Sequence, residues 1–169
     1  MSGLGEKIPM PAGFPEAPDR DAFTYLLPGN LVASRDPIVV TTILGSCVAV
    51  CLYDATSGIG GINHFLLPKW PAATGGTPRH GSIAIPKLVE RLLALGANRG
   101  RLEAKVFGGA AVLQQLARAV YHLGAQNADV AIQILDRAGI PIVANDTGGH
   151  RGRKLIFHTE GGLAFVKYL

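Results

Sequence analysis

Cysteine is nearly absent from this chain: two residues, Cys47 and Cys51, four positions apart in 169. That is neither a disulfide framework nor a Cys-x-x-Cys redox pair. Long apolar runs are missing as well. No stretch approaches the roughly 20 residues that a membrane-spanning helix needs, so membrane insertion is not expected. Residues 1–20 mix Pro, Gly and charge without an apolar core and do not read as a signal peptide, so a cytoplasmic location is expected. Charged residues are sparse at 17%, and 16 Lys and Arg against 12 Asp and Glu leave a net charge of +4. The basic residues are scattered apart from one group at Arg151, Arg153 and Lys154. No basic stripe interleaved with aromatics exists, which argues against a nucleic acid partner. A mild positive balance suits the steering of an acidic protein partner. Gly108-Gly109 and Gly148-Gly149 lead to neither Lys-Ser nor Lys-Thr, so no phosphate loop is present. Internal repeats and low-complexity tracts are lacking too.

What is present is a packed globule, with 48% hydrophobic residues in a length that suits one domain. Residues 1–20, with Pro9, Pro11, Pro15 and Pro18, read as a flexible Pro-rich arm, and 21–169 as a single domain. Strands are expected over 23–27, 31–34, 38–44, 48–53 and 59–67. The short connections among the last three suggest antiparallel pairing. Residues 69–78, with Pro71, Gly75-Gly76 and Pro78, read as a loop that suits a lid or a docking surface. Helical spacing covers 82–95, with Ser82 as N-cap, Gly96 as stop and Pro86 confined to the first turn. Further strands are expected over 102–107, 140–144, 154–157 and 163–168. Helical spacing recurs over 110–122 and, more clearly, over 127–138, with Asn127 as N-cap. Strands dominate and the two or three helices fall mid-chain, so the fold class expected is α+β with mostly antiparallel sheets.

The chemistry concentrates in residues 41–51, Thr-Thr-Ile-Leu-Gly-Ser-Cys-Val-Ala-Val-Cys, and in the following Gly60-Gly61-Ile62-Asn63-His64-Phe65. A thiol attacks as thiolate and needs a partner that takes its proton, together with N–H groups aimed at the developing oxyanion. Gly45-Ser46 lets the chain turn sharply and present Cys47, whose own N–H is the natural oxyanion donor. A hairpin folding over 54–58 brings His64 beside Cys47. A hydroxyl or carbonyl at Thr41 or Thr42 would orient the imidazole. The competing assignments are plain ones. A Cys among Val and Ala is most often a small buried hydrophobe, which suits Cys51 best, and a lone His is usually structural. A metal site is disfavoured, because Cys-x3-Cys within one strand is poor geometry for tetrahedral zinc and the other histidines show no ligand spacing.

These residues resemble a known family. Leu44-Gly45-Ser46-Cys47-Val48-Ala49-Val50 and Gly61-Ile62-Asn63-His64-Phe65-Leu66-Leu67-Pro68 look like the signature of CheD, the chemoreceptor glutamine deamidases of bacterial chemotaxis. The likeness continues through Lys105-Val106-Phe107-Gly108-Gly109-Ala110, through residues 139–144, and through Asp146-Thr147-Gly148-Gly149-His150-Arg151-Gly152-Arg153-Lys154. It implies a layered α/β/β cysteine-hydrolase fold similar to the cytotoxic necrotizing factor deamidases. It implies hydrolysis of receptor glutamine side chains to glutamate without a cofactor. The family's Cys falls on Cys47, its His on His64, and its orienting Thr, six residues before the Cys, on Thr41, with Thr42 next door. Methyl-accepting chemotaxis receptors are the implied substrate and a CheC-like phosphatase an implied partner. Departures from the family pattern fall at Arg79-His80-Gly81-Ser82, over 111–123 and in the arm, away from these three residues. Two rival functions remain: a regulatory binding module for receptors or a CheC-like phosphatase, and a cysteine amidohydrolase for a small amide.

Overall fold

The computed structural model describes residues 23–112 and 117–169; the arm expected over 1–20 lies outside the described residues. The strands are β1 (Phe23–Tyr25), β2 (Leu31–Ser34), β3 (Val39–Leu44), β4 (Val48–Asp54), β5 (Ile59–Asn63), β6 (Glu103–Gly108), β7 (Ile142–Thr147), β8 (Arg153–His158) and β9 (Ala164–Tyr168). The helices are α1 (Gly81–Ala94) and α2 (Ala117–Arg137). The class is α+β. Two mixed sheets form, a four-stranded one ordered β1-β3-β8-β9 and a five-stranded one ordered β2-β5-β4-β6-β7. Each holds one parallel pair, β1 with β3 and β6 with β7, among antiparallel neighbours.

The layers follow from β4, whose residues are buried throughout. Its side chains alternate between faces. Val48, Val50 and Leu52 join a core with Ile85, Leu88 and Leu92 of α1 and Ala131 and Leu135 of α2. Ala49, Cys51 and Tyr53 join a second core with Val40 and Leu44 of β3 and Leu155 and Phe157 of β8. The five-stranded sheet is thus sandwiched between two helices and the four-stranded sheet. A strand buried on both faces reads as a continuous apolar run, which is why 48–53 shows no alternation in sequence.

Three expectations are corrected. β3 does not pair with β4: it lies in the other sheet, against β1 and β8. Gly45-Ser46 is therefore a crossing between sheets, whereas β4 and β5 pair as expected. The helix expected from Ser82 begins at Gly81, with His80 as N-cap, and Pro86 lies in its second turn. Its start is held by tertiary bonds, Gly81 N–H to the Leu67 carbonyl and Ser82 N–H to the Pro68 carbonyl. The Ser82 hydroxyl accepts from Trp70 N–H instead of capping. Asn127 is no N-cap but an interior residue of α2, which runs through the boundary expected there.

Candidate active site

Cys47 sits at the crossing between the sheets, and the local register places His64 near it. Cys51 lies opposite Ile62, and Val48 bridges Phe65 in the same antiparallel register. His64 is then opposite Ala49. Cys47, two residues before Ala49, is its diagonal neighbour on the same face, a separation that long side chains span. That face is the one toward the four-stranded sheet, because Cys47 packs on the core that contains Ala49 and Cys51. The His64 backbone is anchored on both sides: its N–H donates to the Asn30 carbonyl and its carbonyl accepts from Gly29 N–H.

From the opposite sheet, Thr42 reaches the imidazole. Thr42 Oγ1 is 2.8 Å from His64 Nδ1 and 2.8 Å from the Leu26 carbonyl oxygen. The hydroxyl has one proton and the carbonyl can only accept. Thr42 therefore donates to Leu26, and Nδ1–H donates to Thr42. That relay fixes the neutral tautomer with the lone pair on Nε2. Nε2 is buried and without a partner among the described residues. Thr41, where the motif spacing falls, does not touch the imidazole: its hydroxyl donates to the Leu155 carbonyl at 3.0 Å. Strand parity is the reason. Thr42 shares its face with Val40 and Leu44, which belong to the core between the sheets, whereas Thr41 shares the outer face with the half-exposed Ile43.

Burial disfavours the charged forms of both Cys47 and His64. Burial pushes the Cys47 thiol above its ordinary value, opposed by its own backbone N–H. Burial pulls His64 down to about 4, opposed by the Leu26 carbonyl. A neutral hydroxyl partner does little to stabilise an imidazolium, unlike a carboxylate. The arrangement suits a base that takes the thiol proton as attack occurs, rather than a preformed thiolate–imidazolium pair. Cys51 is fully buried in the inter-sheet core, and burial raises its thiol far out of reach of deprotonation. Among the described residues no group of three or more His, Cys, Asp or Glu could hold a metal ion.

Supporting groups close around the crossing that carries Cys47. The Gly109 N–H donates to the Cys47 carbonyl and the Ala110 N–H to the Gly45 carbonyl, both at 2.8 Å. A Cβ on Gly108 would run into the Cys47 carbonyl oxygen, and its φ of +109° also calls for glycine. The Cys47 N–H makes no hydrogen bond to any other described residue. The residue that sequence reasoning missed is Asn127, which is fully buried on α2. Its signal was present: an amide lying in the apolar stripe with Gly124, Ala131 and Leu135.

Comparison with known proteins gives a consistent answer. The family model for CheD chemotactic sensory transduction matches residues 66–168. A probable chemoreceptor glutamine deamidase CheD 1 of Anaeromyxobacter dehalogenans is 46% identical over 148 residues, 88% of this chain and 85% of that protein. This chain belongs to the CheD family. Similar CheD proteins, also named probable chemoreceptor glutamine deamidases, include one from Trichlorobacter lovleyi, 44% identical over 84% of this chain and 88% of its own length. Another, from Sulfurimonas denitrificans, is 42% identical over 86% of this chain and 93% of its own length. The CheD model begins at Leu66, two residues past His64, whereas these relatives span most of the chain.

Proposed function

We propose that this CheD protein hydrolyses selected glutamine side chains of methyl-accepting chemotaxis receptors to glutamate, with Cys47 as nucleophile and His64 as general base. The observation that carries this is the relay from His64 Nδ1 through Thr42 to the Leu26 carbonyl, which frees Nε2 as an acceptor on the face that bears Cys47. Names of the relatives support the substrate and the reaction. Thr42 takes the orienting role that the motif spacing gave to Thr41.

The Cys47 S–H proton passes to His64 Nε2 as sulfur bonds to the glutamine amide carbon, and the carbonyl oxygen becomes an oxyanion held by the Cys47 N–H. The imidazolium returns that proton to the departing nitrogen, the C–N bond breaks, and ammonia leaves a thioester. Water then gives a proton to Nε2 and its oxygen attacks the thioester carbon. The C–S bond breaks, the sulfur recovers the proton, and glutamate and the free thiol result. No step uses a cofactor or a metal. Residues 21–169 act as one cytoplasmic deamidase domain, whose layers resemble those of the cytotoxic necrotizing factor deamidases. A CheC-like phosphatase is its expected regulatory partner.

Mass spectrometry of receptor fragments tests this reading. Wild type should produce the mass gain of amide-to-acid conversion at specific glutamines, and Cys47→Ala should not. Deamidation surviving in Cys47→Ala would overturn the assignment and favour another nucleophile.

A further inference from the structure

We propose that Asn127 is a positioning residue that sets the oxyanion donor, by holding the Ser46–Cys47 peptide in the one orientation that aims the Cys47 N–H at the developing oxyanion. The inference rests on Cys47 being the nucleophile. Asn127 Nδ2 lies 3.0 Å from the Ser46 carbonyl oxygen and 2.9 Å from the Leu66 carbonyl oxygen. An amide that faces two carbonyls can only present its NH2 to them, so both side-chain protons are committed. The Ser46 carbonyl belongs to the same peptide unit as the Cys47 N–H. A trans peptide is planar, and its C=O and N–H point in opposite directions. Drawing the carbonyl toward α2 turns the N–H away from the helices, toward the face where Cys47 packs. The N–H is left unshared by the other described residues and acts on the Cys47 sulfur itself.

The second bond links this peptide to the segment that carries His64, since Leu66 is two residues beyond it. One buried amide thus ties the nucleophile crossing and the base-bearing segment to a single point on α2. Packing alone does not account for an amide here. Asn127 is fully buried and its Oδ1 has no partner among the described residues. A buried unsatisfied acceptor is costly, and the amide is kept for the two carbonyls its NH2 serves. Meanwhile the neighbouring carbonyl contacts, Gly109 to Cys47 and Ala110 to Gly45, fix the peptides on either side of Ser46–Cys47 and leave that one to Asn127.

The test separates oxyanion stabilisation from thiol activation. Asn127→Ala and Asn127→Asp lose the two-proton donor. Deamidation of receptor fragments should fall roughly 10²- to 10³-fold, the effect of losing one oxyanion donor. Alkylation of Cys47 by iodoacetamide, a displacement that develops no oxyanion, should stay within about threefold of wild type and remain dependent on His64. Deamidation kept in both variants, or alkylation lost in step with deamidation, would overturn the proposal; the latter would show a general loss of site structure. If neither variant folds, wild-type protein decides. Capture of a receptor peptide carrying a glutamine aldehyde as a thiohemiacetal should shift the Cys47 amide proton downfield in NMR spectra, and an unshifted resonance would overturn the proposal. Activity in Cys47→Ala would instead overturn the nucleophile assignment, so the two failures are distinct.

Discussion

At the scale of single residues, the two threonines make opposite demands. Thr42→Val removes the acceptor for Nδ1–H and frees the ring to take the wrong tautomer, so kcat should fall by roughly 10²-fold, the lower end of what a positioned general base supplies. Thr41→Val removes the hydroxyl's bond to the Leu155 carbonyl and should lower stability by about 1 kcal/mol with kcat within a few-fold of wild type. Steady-state kinetics and urea melts on the pair distinguish them, and the reverse pattern would return the orienting role to Thr41. His64 also couples stability to pH. Its folded value of about 4 lies below the ordinary 6.5, so the unfolded chain binds the extra proton first. The stability from keeping this ring neutral is full above about pH 6.5 and is lost as pH falls toward 4. Between pH 7 and pH 5 the loss should be about 2 kcal/mol. His64→Gln should lack that portion of the acid sensitivity in paired melts at pH 7 and pH 5. Equal acid sensitivity in both would show that other groups dominate.

At the scale of elements, the decisive one is the crossing at Gly45-Ser46. It carries the chain from β3 in one sheet to β4 in the other, so that Thr42 approaches His64 from across the sandwich rather than from a neighbouring strand. The hairpin of β4 and β5 was legible because a polar turn joins two apolar runs. The separation of β3 from β4 was not legible: three apolar runs with short connections also describe a simple meander, and only the pairing of β3 with β8, more than a hundred residues on, rules it out. The loop after β6 completes the crossing. Gly108→Ala must relieve both a left-handed backbone and a collision with the Cys47 carbonyl. Its cost should exceed about 1 kcal/mol, because the strain outweighs the gain from a stiffer unfolded chain. Cys47 reactivity should fall with it, measured as alkylation rate on protein that remains folded by circular dichroism. Unchanged alkylation would show that the crossing tolerates displacement.

At the scale of the whole molecule, the two sheets must hold a fixed separation for the relay to form. One tie is polar. Asp146 on β7 accepts from Arg153 on β8 at 3.0 Å and from the Tyr168 hydroxyl on β9 at 2.8 Å, and so joins the sheets through a nearly buried guanidinium. Arg153, grouped in sequence with Arg151 and Lys154, is internal. Asp146→Ala should destabilise by about 2 kcal/mol. That is less than the roughly 3–5 of a fully buried pair, because Arg153 keeps the Gly148 carbonyl. Denaturant midpoints with an unchanged slope would measure it, and a loss below about 0.5 kcal/mol would make the tie incidental. No described helix is long and apolar enough to cross a membrane.

The sequence by itself determined the class and pointed to the residues of the candidate site. Strand propensity and mid-chain helices indicated α+β, the Gly-Ser break beside a thiol singled out Cys47 over Cys51, and the β4–β5 hairpin reached His64. These are local facts, set by turns, periodicity and motif spacing within a few residues. Tertiary structure alone decided what depends on which face meets which. It turned Thr42 into the inter-sheet core and Thr41 to the other face of β3, placed Asn127 inside α2 against two distant carbonyls, and buried Arg153. In each case the partner lies on another segment of the fold, and a side chain's partner across a packed core is fixed by register between elements, which no local pattern specifies.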